Sequence, residues 1–118
     1  MAKHILAPTK IESVGNKPKE ILEFFGAVNS QSSELSIAKM NSPAGWEEPF
    51  QTPEFDEYTI VLKGEMEIIT SNKTYCVKKG EAFLATKGEK VKYTTPKGAE
   101  YMAVCLPAFS PQKVHRDE

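Results

Sequence analysis

The sequence predicts an all-β, antiparallel fold of the sandwich or barrel kind, and three observations carry that expectation. Short runs rich in β-branched and aromatic residues recur along the second half of the chain, as in residues 55–62 (FDEYTIVL) and 101–106 (YMAVCL). Turn residues separate them at Lys63-Gly64, Lys79-Gly80, Lys87-Gly88 and Pro96-Lys97-Gly98. Eight prolines and seven glycines in 118 residues leave little room for long helices. Short strands with turn signals at close intervals are the pattern of antiparallel sandwiches and barrels.

Taken in order, residues 1–16 read as an N-terminal extension with one short strand. Residues 19–28 (KEILEFFGAV) fit two descriptions. Ile21, Leu22, Phe24 and Phe25 form a helical stripe behind Pro18, a residue favoured at a helix start, yet the same run suits a strand. Residues 29–34 are polar and read as a turn, and 35–40 (LSIAKM) as a strand. Residues 41–45 (NSPAG) are a loop by composition. Strands follow at 55–62 and 65–70, divided by Lys63-Gly64, then at 74–77, 82–85, 90–95 and 101–106. Both alternate sets of 101–106 are largely apolar, so periodicity does not select its inner face. The tail, 107–118, is expected to lie over the surface. The chain is expected to be one domain, with the barrel at about 35–106.

Composition narrows the function classes. Apolar residues make up 40% and charged residues 26%, a globular balance. Fifteen basic and sixteen acidic residues leave a net charge of −1, which argues against a nucleic-acid partner by bulk electrostatics. No apolar run approaches the ~20 residues that span a bilayer, so no membrane partner is expected. The apolar stretch near the N-terminus is too short for a secretory signal, and the expected compartment is the cytoplasm. Cys76 and Cys105 are too few for a disulfide framework or a zinc knuckle.

Glycines and one glutamate then fall at telling distances. The run Gly45-x5-Gln51-x-Pro53-x3-Glu57-x6-Gly64 resembles the first motif of the cupin superfamily, and Gly80-x5-Thr86-x-Gly88-x2-Val91-x3-Thr95 resembles the second. The segments around 42–58 and 105–109 are also similar to a group of small bacterial cupins, and through it to the cupins of ethanolamine-utilisation operons. The resemblance implies an antiparallel jelly-roll β-barrel with an N-terminal extension, whose two motifs sit on neighbouring strands with their side chains converging inside. It also implies a homodimer, formed through sheet edges or exchanged N-terminal strands. Gly64, Gly80 and Gly88 are expected where strands reverse, since glycine takes positive φ at little cost.

In metal-dependent cupins two histidines and a glutamate of the first motif and a histidine of the second hold the ion. Carried onto this chain, those positions are Gln51, Pro53, Glu57 and Val91, of which Glu57 alone is a good ligand. A transition metal asks for three or four N, S or O donors. His4 and His115 lie near the termini, so either would complete a site only if its terminus entered the barrel. The expectation is therefore no metal and no cofactor, and a barrel that binds a small polar or carboxylated metabolite in a sensor or accessory role. Gln51, Glu57, Val91 and Tyr93 are the expected lining, with Val91 making the floor apolar and Tyr93 on the same strand face. Trp46 either lids the pocket or packs against the N-terminal strand. Glu57 and Tyr93 are the candidate catalytic pair of a metal-independent isomerase, epimerase or lyase, because desolvation raises a carboxyl pKa. A weak metal centre through Glu57, Gln51 and a terminal histidine is a further alternative. In the bland reading Glu57 is paired with a lysine or Tyr93 and pins the barrel.

Overall fold

The computed structural model describes residues 2–117. Nine strands and one helical turn follow in the order β1 (Thr9–Ile11), β2 (Glu20–Phe25), β3 (Ser36–Ser42), β4 (Trp46–Glu47), β5 (Asp56–Thr70), β6 (Thr74–Lys78), β7 (Ala82–Ala85), β8 (Val91–Thr95), β9 (Ala99–Leu106) and α1 (Pro111–Val114). All strand pairs are antiparallel. One curled sheet runs β1-β2-β3-β9-β5, and β7 pairs with the first half of β5. The second half of β5 pairs with β6 and β8, and β8 carries β4 on its other side. The jelly-roll cupin fold that the sequence predicts is the fold found. Among the described residues no helix is long and apolar enough to cross a membrane.

The strand β5 joins the two layers, and it corrects one expectation. Residues 55–62 and 65–70 are not two strands around a reversal; they are one strand of 15 residues that bends near Gly64. Gly64 has φ +73°, and a Cβ there would lie 2.2 Å from the Gly98 carbonyl oxygen. Glycine is needed for its left-handed backbone and for close approach to β9, where the register shifts between Val61 and Lys63. Gly80 and Gly88 do sit in turns.

Residues 19–28 resolve in favour of a strand. Paired with β1 on one side and β3 on the other, β2 satisfies its backbone across the sheet. Its buried Glu23 accepts from the Val28 and Asn29 amides at 3.0 and 2.7 Å, which closes the turn that follows. A helix would leave that carboxylate without those donors. The inner face of β9 is also settled: Tyr101, Ala103 and Cys105 are buried, while Met102, Val104 and Leu106 point outward.

A core of Trp46, Val61, Met66, Ile68, Val77 and Tyr93, with neighbours, fills the space between the layers. A smaller cluster of Phe55, Cys105 and Val114, with Phe109, ties down the C-terminal segment. The tail does not simply lie over the surface. Thr52 N donates to the His115 carbonyl at 3.1 Å and Asp117 N to the Phe50 carbonyl at 2.7 Å, so residues 115–117 run as an added ribbon beside Gln51.

Replacing Gly64 by alanine is expected to destabilise the fold by about 2 kcal/mol or more, since it adds strain at positive φ to a backbone clash. Chemical denaturation measures this, and a change below about 0.5 kcal/mol would contradict the close approach.

Candidate functional site

A cavity of about 330 Å³ opens on the inner face of the larger sheet. Its walls are apolar for the most part: Ile21, Ala38 and Met40 from β2 and β3, Ala103 from β9, and Phe55 and Phe109 from the segments that close it. Into it point Glu57 from β5, Tyr93 from β8, and Glu48 and Gln51 from the segment between β4 and β5. Two cations join them from outside both motifs, Lys19 and Arg116.

Strand alternation places Glu57. Thr59 and Val61 on the same face of β5 are buried, whereas Tyr58 and Ile60 between them face out. Glu57 itself is half-buried, and the cavity is the space it faces. Burial pushes its carboxyl up to about 7; the charge of Glu48 pushes the same way, and Lys19 and Arg116 pull against both. Glu48 is 7% exposed, and burial raises its carboxyl too, opposed by the same two cations. Burial raises Tyr93 well above the ordinary phenol value, so it stays a neutral hydroxyl. Burial also raises the thiol of Cys105, which lines the cavity as an inert group.

Three buried polar atoms among the described residues have no protein partner: Thr59 Oγ1, Tyr93 Oη and Arg116 Nε. Two of them belong to side chains that line the cavity. The Tyr93 hydroxyl therefore makes no hydrogen bond to Glu57, and the bland reading in which that pair pins the barrel does not describe this arrangement. A buried donor without a partner costs about 1–3 kcal/mol, so such groups call for an occupant.

The two cations are held in different ways. Lys19 Nζ donates to Tyr101 Oη at 3.0 Å and stands 3.9 Å from the centre of the Trp46 ring. The segment leading to it is fastened by Trp46 Nε1 donating to the Val14 carbonyl and by Asn16 bonding Gly45 and Glu47. Arg116 reaches in from the C-terminal ribbon, with its guanidinium 3.9 Å from Glu48 Oε1. Of the expected lining, then, Gln51, Glu57 and Tyr93 meet at the cavity, but Trp46 and Val91 do not line it. Trp46 is packed under Lys19 and bound to the N-terminal segment, and Val91 is fully buried in the core, where its backbone pairs with Gln51.

The positions that hold a metal in other cupins do not fit one in this chain. Gln51 and Glu57 offer an amide and a carboxylate, while Pro53 and Val91 offer no donor. His4 is exposed, and His115 Nε2 bonds the exposed Glu54 carboxylate outside the cavity. No cluster of three or more His, Cys, Asp or Glu side chains suited to a metal occurs among the described residues. The terminus that does enter the barrel brings a guanidinium, whose charge opposes a cation at Glu57.

The family model described as ethanolamine utilisation protein EutQ matches residues 25–110. The chain belongs to the EutQ family of the cupin superfamily. A EutQ protein from Clostridium difficile superposes with a TM-score of 0.65 at 22% identity, covering 79% of this chain and 65% of that one. An RmlC-like cupin from Shewanella frigidimarina superposes with a TM-score of 0.71 at 18% identity, over 86% and 85% of the two chains. Both likenesses concern the fold. A Myxococcus xanthus protein named endoribonuclease YbeY is 42% identical over 101 residues. This EutQ-family chain spans 84% of itself in that match but 34% of the relative's length.

The raised Glu57 carboxyl has a consequence for stability. Between its unfolded value near 4.5 and its folded value near 7, the folded chain keeps a proton that the unfolded chain has lost. Stability is therefore lost as pH rises through that window, by about 3 kcal/mol in all. Glu57→Gln should escape the loss, so its stability advantage over the parent should grow from pH 4.5 to pH 8 in denaturant titrations. An advantage that does not change with pH would contradict the burial.

Proposed function

We propose that this cupin binds a small carboxylated metabolite in its barrel cavity, in a sensor or accessory role. The observation that carries the reading is the pair of unpartnered donors, Tyr93 Oη and Arg116 Nε, on side chains that line an otherwise apolar space. A carboxylate accepts from both donors, and a guanidinium with a free edge suits it better than a point charge does. The carbon part of the ligand rests on Met40, Phe55 and Phe109. Glu57, when protonated, adds a third donor. A volume near 330 Å³ is at the small end of ligand sites and suits a compact metabolite.

A second reading, a metal-independent isomerase, epimerase or lyase, draws on one specific feature. A carboxyl poised about 7 is suited to take and return a proton at neutral pH. Tyr93 would then hold the substrate oxygen where charge develops. Arg116 would orient the substrate carboxylate, and the apolar walls would exclude water.

One panel of ligands separates the readings. Thermal-shift titration with small carboxylic acids, their amides and the corresponding amines at millimolar concentration should find acids that stabilise the protein more than their amides. Tyr93→Phe should weaken the best acid roughly tenfold and Arg116→Ala at least as much, as expected for hydrogen bonds to a charged group. Stabilisation by amines alone, or by acids equally in both variants, would overturn the binding reading. The same acids incubated with catalytic amounts of protein and followed by proton NMR test the second: turnover that Glu57→Gln abolishes supports it, and unchanged acids dismiss it.

A further inference from the structure

A bare carboxylate in the cavity would meet the free donors and leave the free acceptors unanswered. Among the described residues no hydrogen bond reaches the carboxyl of Glu57 or of Glu48. The Arg116 guanidinium stands 3.9 Å from Glu48, beyond hydrogen-bond length. The other ionisable groups at the cavity are engaged, neutral or in water. Glu23 accepts from the Val28 and Asn29 amides. Lys19 donates to Tyr101 Oη at 3.0 Å and to Met40 Sδ at 3.5 Å, and its charge acts on both open glutamates through space. Burial keeps Tyr93 and Cys105 protonated, and Glu12 is exposed. The unmet groups are thus of both kinds: two carboxyls that want a donor, and the Tyr93 hydroxyl, 4% exposed, with Arg116 Nε, which want an acceptor.

Strand register brings the two kinds to the same end of the cavity. Glu57, Cys105 and Ser36 form one row across β5, β9 and β3. Phe109 N donates to Ser36 Oγ at 3.0 Å, and the Arg116 guanidinium stands 6.0 Å from the centre of the Phe109 ring. Arg116 therefore belongs to the end where Glu57 is. In the opposite layer Gln51 pairs with both Val91 and Arg116, and Tyr93 follows two residues along β8 on the same face as Val91. Away from this end the floor drops. Ala38 and Ala103 sit opposite each other in the next inward row of β3 and β9, and Met40 and Tyr101 follow. The two alanines leave a trough walled by Ile21 and Met40.

We infer that the metabolite held in the barrel is an α-amino acid, with its carboxylate on Tyr93 and Arg116, its ammonium on Glu57 and its side chain along the alanine-floored trough. This rests on the proposed binding of a carboxylated metabolite and narrows it. An α-amino acid carries one anionic and one cationic group on a single carbon, which is what neighbouring unmet donors and acceptors require. Charge selects it over a plain acid. With Glu48 and Glu57 ionised, Lys19 and Arg116 balance them, and a zwitterion adds no net charge. A plain acid adds a third negative charge to the same apolar space, where an unpaired charge is costly. It would enter only with a proton taken up on Glu57. An ammonium instead draws the proton off Glu57 and meets the carboxylate so formed.

The test is calorimetric titration of the full chain with the protein amino acids and with the matched acids that lack the amino group, such as glutarate beside glutamate and phenylpropionate beside phenylalanine. The best amino acid should bind roughly tenfold or more tightly than its matched acid, the gain of one charge-assisted hydrogen bond. Glu57→Gln should remove that difference while leaving the acid bound, and circular dichroism shows that the variant is folded. A second readout needs no variant. Near pH 7, where the Glu57 carboxyl is half-protonated, titration in buffers of different ionisation enthalpy should show protons released when an amino acid binds and taken up when the plain acid binds. Acids that bind through Tyr93 and Arg116 as well as the amino acids do, or amino acids that bind with proton uptake, would overturn this inference and leave the acid-binding reading standing. A preference for amino acids that survives Glu57→Gln would overturn the place given to the ammonium. If neither amino acids nor acids bind at millimolar concentration, both readings fall.

Discussion

The arrangement rests on a charge balance inside a low-dielectric space. Glu57 and Glu48 are both placed in the barrel by the backbone, and neither is comfortable ionised there. A buried carboxylate beside a half-buried one cannot stand alone; something must supply protons, cations or donors. This chain answers with Lys19 and Arg116, delivered by the segments before and after the motif-bearing strands. The N-terminal segment is fastened at Val14 and Asn16, and the C-terminal ribbon is zipped beside Gln51. The two ends are thus more than decoration on a barrel: each brings one positive charge to a site that the motif strands leave acidic.

That balance also explains the departures from the metal-binding pattern. Where metal-dependent cupins gather imidazoles around an ion, this chain has Val91 in the core and a buried Pro53, whose carbonyl is taken by the Gly88 amide. Two fixed side-chain cations occupy the electrostatic role that one ion would have had. The exchange changes what can bind. An ion offers open coordination positions, whereas a guanidinium and a phenol offer hydrogen bonds of fixed direction, which suits recognition of an acid and, with a poised carboxyl, proton transfer.

Much of this was legible in the sequence, though unevenly. The strand rhythm and the two motif spacings led to the fold, because alternation and glycine turns are local. They also led to Gln51, at a motif position between strands, and to Glu57 and Tyr93, which sit on strands with a defined face. Val91 is expected at the cavity from its motif position, and Trp46 has two readings, a lid or packing against the N-terminal segment. The indole takes the second reading, held by the Val14 carbonyl, whereas Val91 departs from its expectation and packs in the core. The bend at Gly64 was not legible, since a glycine that reverses a chain and a glycine that lets two strands touch have the same spacing. Lys19 and Arg116 lie outside both motifs, so no spacing pointed to them. One signal existed: Arg116 is the only arginine among fifteen basic residues, and a lysine-rich chain that keeps a single guanidinium invites the question of what it grips.

The central claim is that Glu57 lies in a dry space beside a second carboxyl and is held short of full ionisation at neutral pH. Titration of glutamate side chains by carbon-13 NMR, with Glu57→Gln used to assign the resonance, measures this directly. The account predicts a midpoint about 7 for Glu57. A midpoint at the ordinary carboxylate value near 4.5 would mean that the carboxyl is hydrated, and the electrostatic logic of the site would fall with it.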